Sequence, residues 1–448
     1  DFKFKPIMRF TNRQILHIAG PILISVLMEH LIGMTDTAFL GRVGEVELGA
    51  SAMGGLYYIC VFTIAFGFST GSQILIARRN GERNYREVGP VMTQGAVFLL
   101  LMALLLFALS RWFAGDVMRL LISSDEIWQA TVRFLDWRVY GFFFIFVGVM
   151  FRAFFIGITR TKVLTLNAIV MAVTNIVLDY LLIFGHAGFP RMGLEGAAIA
   201  SVIAEAVSIL FYFIYTWLTV DRAKYGLSRF RSFDFGLLKR VLDISIFTMF
   251  QYFISLSTYF ILFIAVEHLG QRSLAIANIV RSLYVVMLIP INALSMTTST
   301  FVSNCIGAGR TDEVMPVIRH ISFISIAVTA LIVGVLCLRP ELVLSVYTGD
   351  NSLIEASVPT FYVIACALPV AAFSNIVFNG LTGTGNTRVA FVIETVTLCF
   401  YLLFIYVVAI RLQMPVSICF LTEVIYYAGL FFLSVIYLRK GNWRGKKI

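Results

Sequence analysis

The chain has 448 residues, 59% of them hydrophobic and 14% aromatic, with 13% charged and a formal net charge of +10. Its mean hydropathy of +0.88 is far above what a soluble chain of this length needs, so lipid is the solvent for most of its surface. A soluble enzyme is thereby excluded. The basic excess sits in short segments between long apolar runs, which points to membrane topology and not to nucleic acid.

The apolar runs predict spans at 15–40, 51–77, 89–111, 127–158, 163–184 and 193–220. After a polar, basic stretch at 221–235 they resume at 236–266, 275–306, 315–338, 353–384, 388–410 and 414–438. None alternates as a lipid-facing strand would, and helices satisfy every backbone group internally. The fold class is therefore an all-α membrane protein of about twelve transmembrane helices. Lys3, Lys5, Arg9 and Arg13 lead straight into the first span, which is expected to stay as an anchor and not to be removed as a signal peptide. With the N-terminus inside, most of the 35 basic residues fall on the cytoplasmic side, among them Arg78, Arg79, Arg83, Arg86, Arg222, Lys224, Arg229, Arg231, Arg310, Arg439, Lys446 and Lys447. The other side holds Arg42, Arg111, Arg119, Arg191, Arg272, Arg339 and Arg411. The positive-inside rule places both termini in the cytoplasm, in a cell inner (plasma) membrane. The six cysteines lie within apolar spans without Cys-x-x-Cys spacing and read as small core hydrophobes.

A shift of 226 residues lays the chain's punctuation on itself: Gly44 on Gly270, Leu48 on Leu274, Gly81 on Gly307, Glu87-Val88 on Glu313-Val314, Pro90-Val91 on Pro316-Val317 and Gly157 on Gly383. The matches fall at helix ends and loops, where Gly and Pro have backbone reasons to be. Two halves of six helices that enter the membrane in the same direction make a parallel repeat of two pseudo-symmetric lobes, with a cavity expected between them. The expected divisions are an N-terminal lobe at 1–220, a cytoplasmic linker at 221–235 and a C-terminal lobe at 236–448.

Gly20-Pro21 opens the first span, Asp36 stands near its far end, and Gly41-Arg42-Val43-Gly44 and Leu48-Gly49-Ala50 follow. The second span closes on Gly71-Ser72-Gln73 and Ala77-Arg78-Arg79-Asn80-Gly81-Glu82-Arg83-Asn84, with a counterpart at Cys305-Ile306-Gly307-Ala308-Gly309-Arg310-Thr311-Asp312-Glu313. Over essentially its whole length the chain resembles the multidrug and toxic compound extrusion (MATE) family. The resemblance implies secondary active efflux of small organic, cationic or amphipathic molecules by H+ or Na+ antiport and alternating access. Asn175 four residues before Asp179 is similar to the DinF-like branch, in which an Asp of the first helix and an Asn-x-x-x-Asp of the fifth form a polar site. Asp36, Asn175 and Asp179 match it, and the resemblance makes them the cation-coupling group. The hydroxyl that the sixth helix supplies in that branch has no counterpart in Gly193-Leu194-Glu195-Gly196-Ala197-Ala198. The other branch's acidic pair is absent too. The seventh span offers Gln251 and Tyr252 and the tenth Asn375 and Asn379, read as substrate-cavity residues, and no cation site is expected in the C-terminal lobe.

The residues themselves support the same group. An ionised carboxylate deep in hydrocarbon is expensive, so intramembrane acids are functional candidates. Asp36 and Asp179 each lie a few residues from the outer ends of their spans, at a matched depth of roughly 8 Å. Asn175 and Asp179 share a helix face. Two carboxylates and an amide oxygen can hold Na+ with hard ligands or share one proton, since like charges held together disfavour full ionisation. Glu29, two turns before Asp36, and Glu205 are candidate cavity acids that would favour cationic substrates, with a structural hydrogen bond as the alternative for each. Glu394 and Glu423 are read in the same two ways. Asp136, flanked by Arg133 and Arg138, reads as neutralised by them. Arg152 is expected to snorkel to the cytoplasmic edge, while Arg281 faces a cavity or pairs with an acid. Pro290 and Pro369 are candidate hinges. Glycines 141, 148 and 157 are expected to allow close helix packing.

An integral-membrane enzyme is disfavoured: the five histidines have no metal spacing, and there is neither Gly-x-Ser-x-Gly nor a phosphate-cradling loop. A lipid-linked oligosaccharide flippase of related architecture stands as the alternative within transport. The expected partners are small-molecule substrates and membrane lipids, the expected state is a monomer, and no cofactor is called for beyond the coupling ion.

Overall fold

The computed structural model describes residues 11–227 and 233–444. Lys3, Lys5, Arg9, Arg229, Arg231, Lys446 and Lys447, and part of the 221–235 stretch, lie outside the described residues. Twelve helices are long and apolar enough to cross a membrane. They are α1 (Asn12–Val43), α2 (Glu45–Gly81), α3 (Tyr85–Leu121), α4 (Asp125–Gly157), α5 (Lys162–Phe184), α6 (Leu194–Thr219), α7 (Phe235–Glu267), α8 (Gln271–Gly307), α9 (Thr311–Cys337), α10 (Asn351–Gly383), α11 (Thr387–Arg411) and α12 (Val416–Lys440). Every expected span is found. Pro21 lies inside α1 and not at its start, because the helix is already running from Asn12.

The two halves start and stop in step. Helices α2 and α8 are both 37 residues long and are both opened by a glycine, Gly44 and Gly270. A single 3-10 turn follows each, at Tyr85–Glu87 and Thr311–Glu313. Helices α4 and α10 end on Gly157 and Gly383, and packing explains why. A Cβ on Gly157 would lie 2.6 Å from the Ile76 side chain of α2, and one on Gly383 would lie 2.8 Å from Ser299 Cα of α8. In each half the fourth helix is seated on the second where only glycine fits.

The chain forms two compact units: Gly20–Met249, and the described residues of Asp1–Ala19 with those of Phe250–Ile448. The division falls inside α1 and α7, whereas the charge pattern put it at 221–235. Within Gly20–Met249 the early turns of α7 are pinned to α2: Ser245 Oγ donates to the Phe68 carbonyl at 3.1 Å and Thr248 Oγ1 to that of Gly67 at 2.6 Å. The described start of the connection is pinned as well, with the Gly89 N–H donating to the Tyr225 carbonyl at 2.7 Å. Gly226, at φ +70°, lies against the Arg86 carbonyl in a conformation L side chains rarely adopt.

Phe142, Phe146, Phe154 and Phe155 of α4 are fully buried in the first unit, and Leu262, Val280, Phe361, Leu368 and Phe420 in the second. Large apolar side chains on the outside, such as Leu105, Trp217, Leu331 and Phe432, are tolerable only in an apolar solvent. All six cysteines are unpaired. Only Cys305 and Cys419 are buried, and Cys366 and Cys399 face outward, so the core reading holds for a minority. Helices α8 and α10 run on through Pro290 and Pro369. Regular α geometry gives way instead to a 3-10 turn at Val139–Gly141 in α4 and a π turn at Tyr406–Arg411 closing α11.

Candidate cation site in the first half

Helices α1, α5 and α6 bring four oxygen-bearing groups together inside the Gly20–Met249 unit. Asn175 and Asp179 are fully buried on one face of α5, and Asp36 of α1 is half-buried beside them. With its amide nitrogen directed at the carboxyls, Asn175 donates to Asp36 Oδ1 and to Asp179 Oδ2, each at 3.1 Å. Its amide oxygen then faces the Ser201 hydroxyl of α6, 3.4 Å away. The two carboxyls are within hydrogen-bonding reach of each other. Asp179 Oδ1 is buried with no N–H or O–H donor facing it. An oxygen so placed calls for a proton or a cation, because an unsatisfied buried acceptor carries its full desolvation cost.

Ser201 corrects the expectation that the sixth helix supplies no hydroxyl. The hydroxyl sits one turn further into α6 than the 193–198 stretch. Depth would have revealed it, since Asn175 and Ser201 lie at similar distances from the Phe184–Leu194 connection on adjacent antiparallel helices.

The MatE family model matches residues 21–181 and again residues 248–407. The chain belongs to the MatE family. The two matches begin in corresponding helices of a MATE transporter's two halves, as the 226-residue shift implies. A probable multidrug resistance protein NorM of Thermotoga maritima is 24% identical over 397 residues, covering 86% of this chain and 83% of that protein. Multidrug and toxin extrusion protein 1 of Mus musculus is 24% identical over 415 residues, covering 86% of this chain and 67% of its own. The solved outward-facing conformation of a multidrug resistance MATE family transporter superposes with a TM-score of 0.85 at 17% identity, covering 95% of this chain and 94% of that one. The fold is that of MATE transporters.

Beside the site of this MATE protein lies a buried ion pair that the sequence did not disclose. Arg138 donates to both Glu205 oxygens, at 2.7 and 3.1 Å, and Tyr58 donates to the same carboxylate at 3.0 Å. The guanidinium stacks over the Tyr58 ring, 3.5 Å from its centroid, and lies within electrostatic reach of Asp36. The 3-10 turn makes room: a Cβ on Gly141 would collide with Glu205, Arg138 and Tyr58. Of the two readings of Glu205, a cavity acid or a structural one, these contacts favour the structural one. Asp136, expected between Arg133 and Arg138, pairs with Arg111 instead, while Arg133 reaches Glu195 at 3.8 Å. Arg138 cannot serve Asp136 because its own burial favours the buried Glu205.

Glu29 also has a partner. Arg152, expected to snorkel away, donates to Glu29 Oε1 at 2.9 Å. Its charge is therefore matched, although the side chain stays 47% exposed. In the second unit Gln251 is buried with its Oε1 unpaired, Tyr252 is half-buried, and Asn379 donates to the Asn375 carbonyl of its own helix at 2.9 Å. Glu394 takes hydroxyl donors from Ser255 and Tyr426, each at 2.6 Å. Among the described residues no group of three or more His, Cys, Asp or Glu is arranged to hold a metal ion.

Proposed function

We propose that this MATE transporter exports small organic molecules, cationic or amphipathic, across a cell inner membrane in exchange for a cation that binds at Asp36, Asn175 and Asp179. The observation that carries the reading is the Asn175 amide donating to both carboxyls at 3.1 Å beside an Asp179 oxygen that lacks a donor. A carboxyl–carboxyl contact of this kind is stable when one proton lies between the oxygens, and the amide orientation suits that state. Na+ is the second reading. The oxygens of Asp36, Asp179 and Ser201 are hard donors, and turning the Asn175 amide would add its carbonyl. An antiporter needs an ion whose affinity differs between two conformations, and a charge-bearing pair at the meeting of three helices supplies it, since small helix shifts change the carboxyl separation. Rocking of two six-helix lobes, with Pro290 and Pro369 as bending points, would alternate access in a single chain whose termini face the cytoplasm.

The test is export of a fluorescent organic cation from proteoliposomes with Na+ and pH gradients imposed separately. Transport driven by the pH gradient alone supports the shared proton, and transport driven by Na+ alone supports the turned amide. Transport driven by neither sinks the reading.

A further inference from the structure

The 226-residue frame places Asp36 and Asp179 on Leu262 and Ile405, which are apolar and buried. The same shift carries the other positions around the first-half site onto a second polar group: Tyr58 onto Tyr284, Asn175 onto Tyr401, Ala197 onto Glu423 and Ser201 onto Tyr427. These four come together in space. Tyr284 donates to Glu423 Oε2 at 3.0 Å and Tyr401 to Oε1 at 3.1 Å, and the Tyr284 and Tyr427 hydroxyls are 2.7 Å apart. Leu262, Ile405 and the three tyrosines belong to one buried cluster of the second unit. An acid has moved from the first and fifth helices of the frame to the sixth, at the same place.

The charges around Glu423 differ from those around Glu205 and Glu29 of the first half. Glu205 has Arg138 and Glu29 has Arg152. Glu423 is 4% exposed, and among the described residues it is in no ion pair. Within electrostatic reach are Tyr259 of α7, Tyr284 of α8, Tyr401 of α11, and Tyr426 and Tyr427 of its own helix, with Asn375 of α10 near Tyr427. A nearby cation, Arg281 of α8, shares Tyr259 with it but is directed over the Phe263 ring, 5.3 Å from the centroid, with a buried Nε that has no acceptor. A carboxylate left here without a counter-charge carries a desolvation cost that O–H donors only partly offset. Each oxygen accepts from one tyrosine hydroxyl and keeps a lone pair, so a proton can add to it within a shell of neutral O–H groups.

We propose that Glu423 is a second exchangeable-proton site, built on the second half's copy of the frame that carries Asp36, Asn175 and Asp179. The proton adds to a Glu423 oxygen, and the tyrosine hydroxyls reorient to accept from it. The proposal does not rest on the assignment of coupling to the first half, because it concerns binding at a separate group.

The experiment is infrared difference spectroscopy, between acidic and alkaline buffer, on the full-length protein in liposomes. An Asp36→Asn/Asp179→Asn background is expected to keep a titrating band from a buried protonated carboxyl. Adding Glu423→Gln is expected to remove that band. Tyr284→Phe, which keeps the acid but removes a hydroxyl from Oε2, is expected to move the band's frequency. A difference spectrum that Glu423→Gln leaves unchanged overturns the proposal. Should that variant not fold, a spectrum unchanged by Tyr284→Phe overturns it equally.

Discussion

The first and second halves share capping glycines, the seating of the fourth helix on the second and the near-equal lengths of every helix pair but the third, 37 residues against 27, yet they handle intramembrane acids in opposite ways. In the first half, the buried Glu205 and the part-exposed Glu29 meet arginines, and Asp36 and Asp179 meet each other across Asn175. In the second, among the described residues, Glu394 and Glu423 meet hydroxyls, from Ser255, Tyr426, Tyr284 and Tyr401. A doubled frame therefore constrains where a polar side chain can sit without constraining its charge. Helix ends and crossing points are set by backbone contacts, which tolerate few substitutions. A buried acid needs only some partner, and either a guanidinium or a pair of hydroxyls will serve.

The largest effect separates the halves outright. Asp36→Asn and Asp179→Asn are each expected to reduce gradient-driven export to background in proteoliposomes, with folding intact, because the carrier loses its differential affinity for the ion. Gln251→Ala and Asn375→Ala in the second half are expected to alter rate or substrate range and leave coupling in place. Full export by both Asp variants, or its loss in Gln251→Ala, would reverse the assignment of the halves.

Next comes the cost of leaving one charge alone. Arg138→Met strands Glu205 and is expected to destabilise the first half by about 3–5 kcal/mol, read as a lower unfolding temperature in detergent. Replacing both, Arg138→Met with Glu205→Leu, is expected to restore most of it. Tyr401→Phe in the second half removes one hydroxyl donor from Glu423 and is expected to cost about 1–2 kcal/mol. Equal losses for Arg138→Met and Tyr401→Phe would mean that the Arg138 contact is not behaving as a buried ion pair.

The shared frame is expected to respond equally in both copies. Gly157→Ala and Gly383→Ala each force a methyl into the second helix of their half and should cost about 1–3 kcal/mol. A loss at only one of them would show that the fourth-on-second packing is not equivalent. Ser201→Ala has the smallest expected effect, about 1 kcal/mol, from one hydroxyl contact to Asn175. It also bears on the ion: if Na+ is the driver and Ser201 a ligand, Na+ affinity should fall in this variant while the unfolding temperature barely moves.

Spans were legible because about twenty apolar residues in a row have one stable arrangement in lipid, and the repeat was legible because glycines and prolines mark backbone events. Asp36, Asn175 and Asp179 were legible for the same kind of reason, since depth and helical spacing follow from counting residues. Ser201 was not legible because it lies one turn beyond the 193–198 stretch, among other small residues of α6, and Arg138 because its sequence neighbour Asp136 offered a nearer partner. Linear proximity misled there: Arg138 stands at the 3-10 turn of α4, and Gly141 opens a space into which Glu205 of α6 fits.

The sequence by itself determined the solvent, the number of the helices and the doubling of the chain, because these depend on local composition and on backbone punctuation, whereas helix ends ran past it, as in α3, expected to stop at 111 and continuing to Leu121. Only the tertiary structure decided which acid meets an arginine, which meets another acid and which meets tyrosines. Those choices depend on the rotation of each helix and on the side chains it faces from partners up to 147 residues away, as Tyr58 and Glu205 do. No local pattern records them.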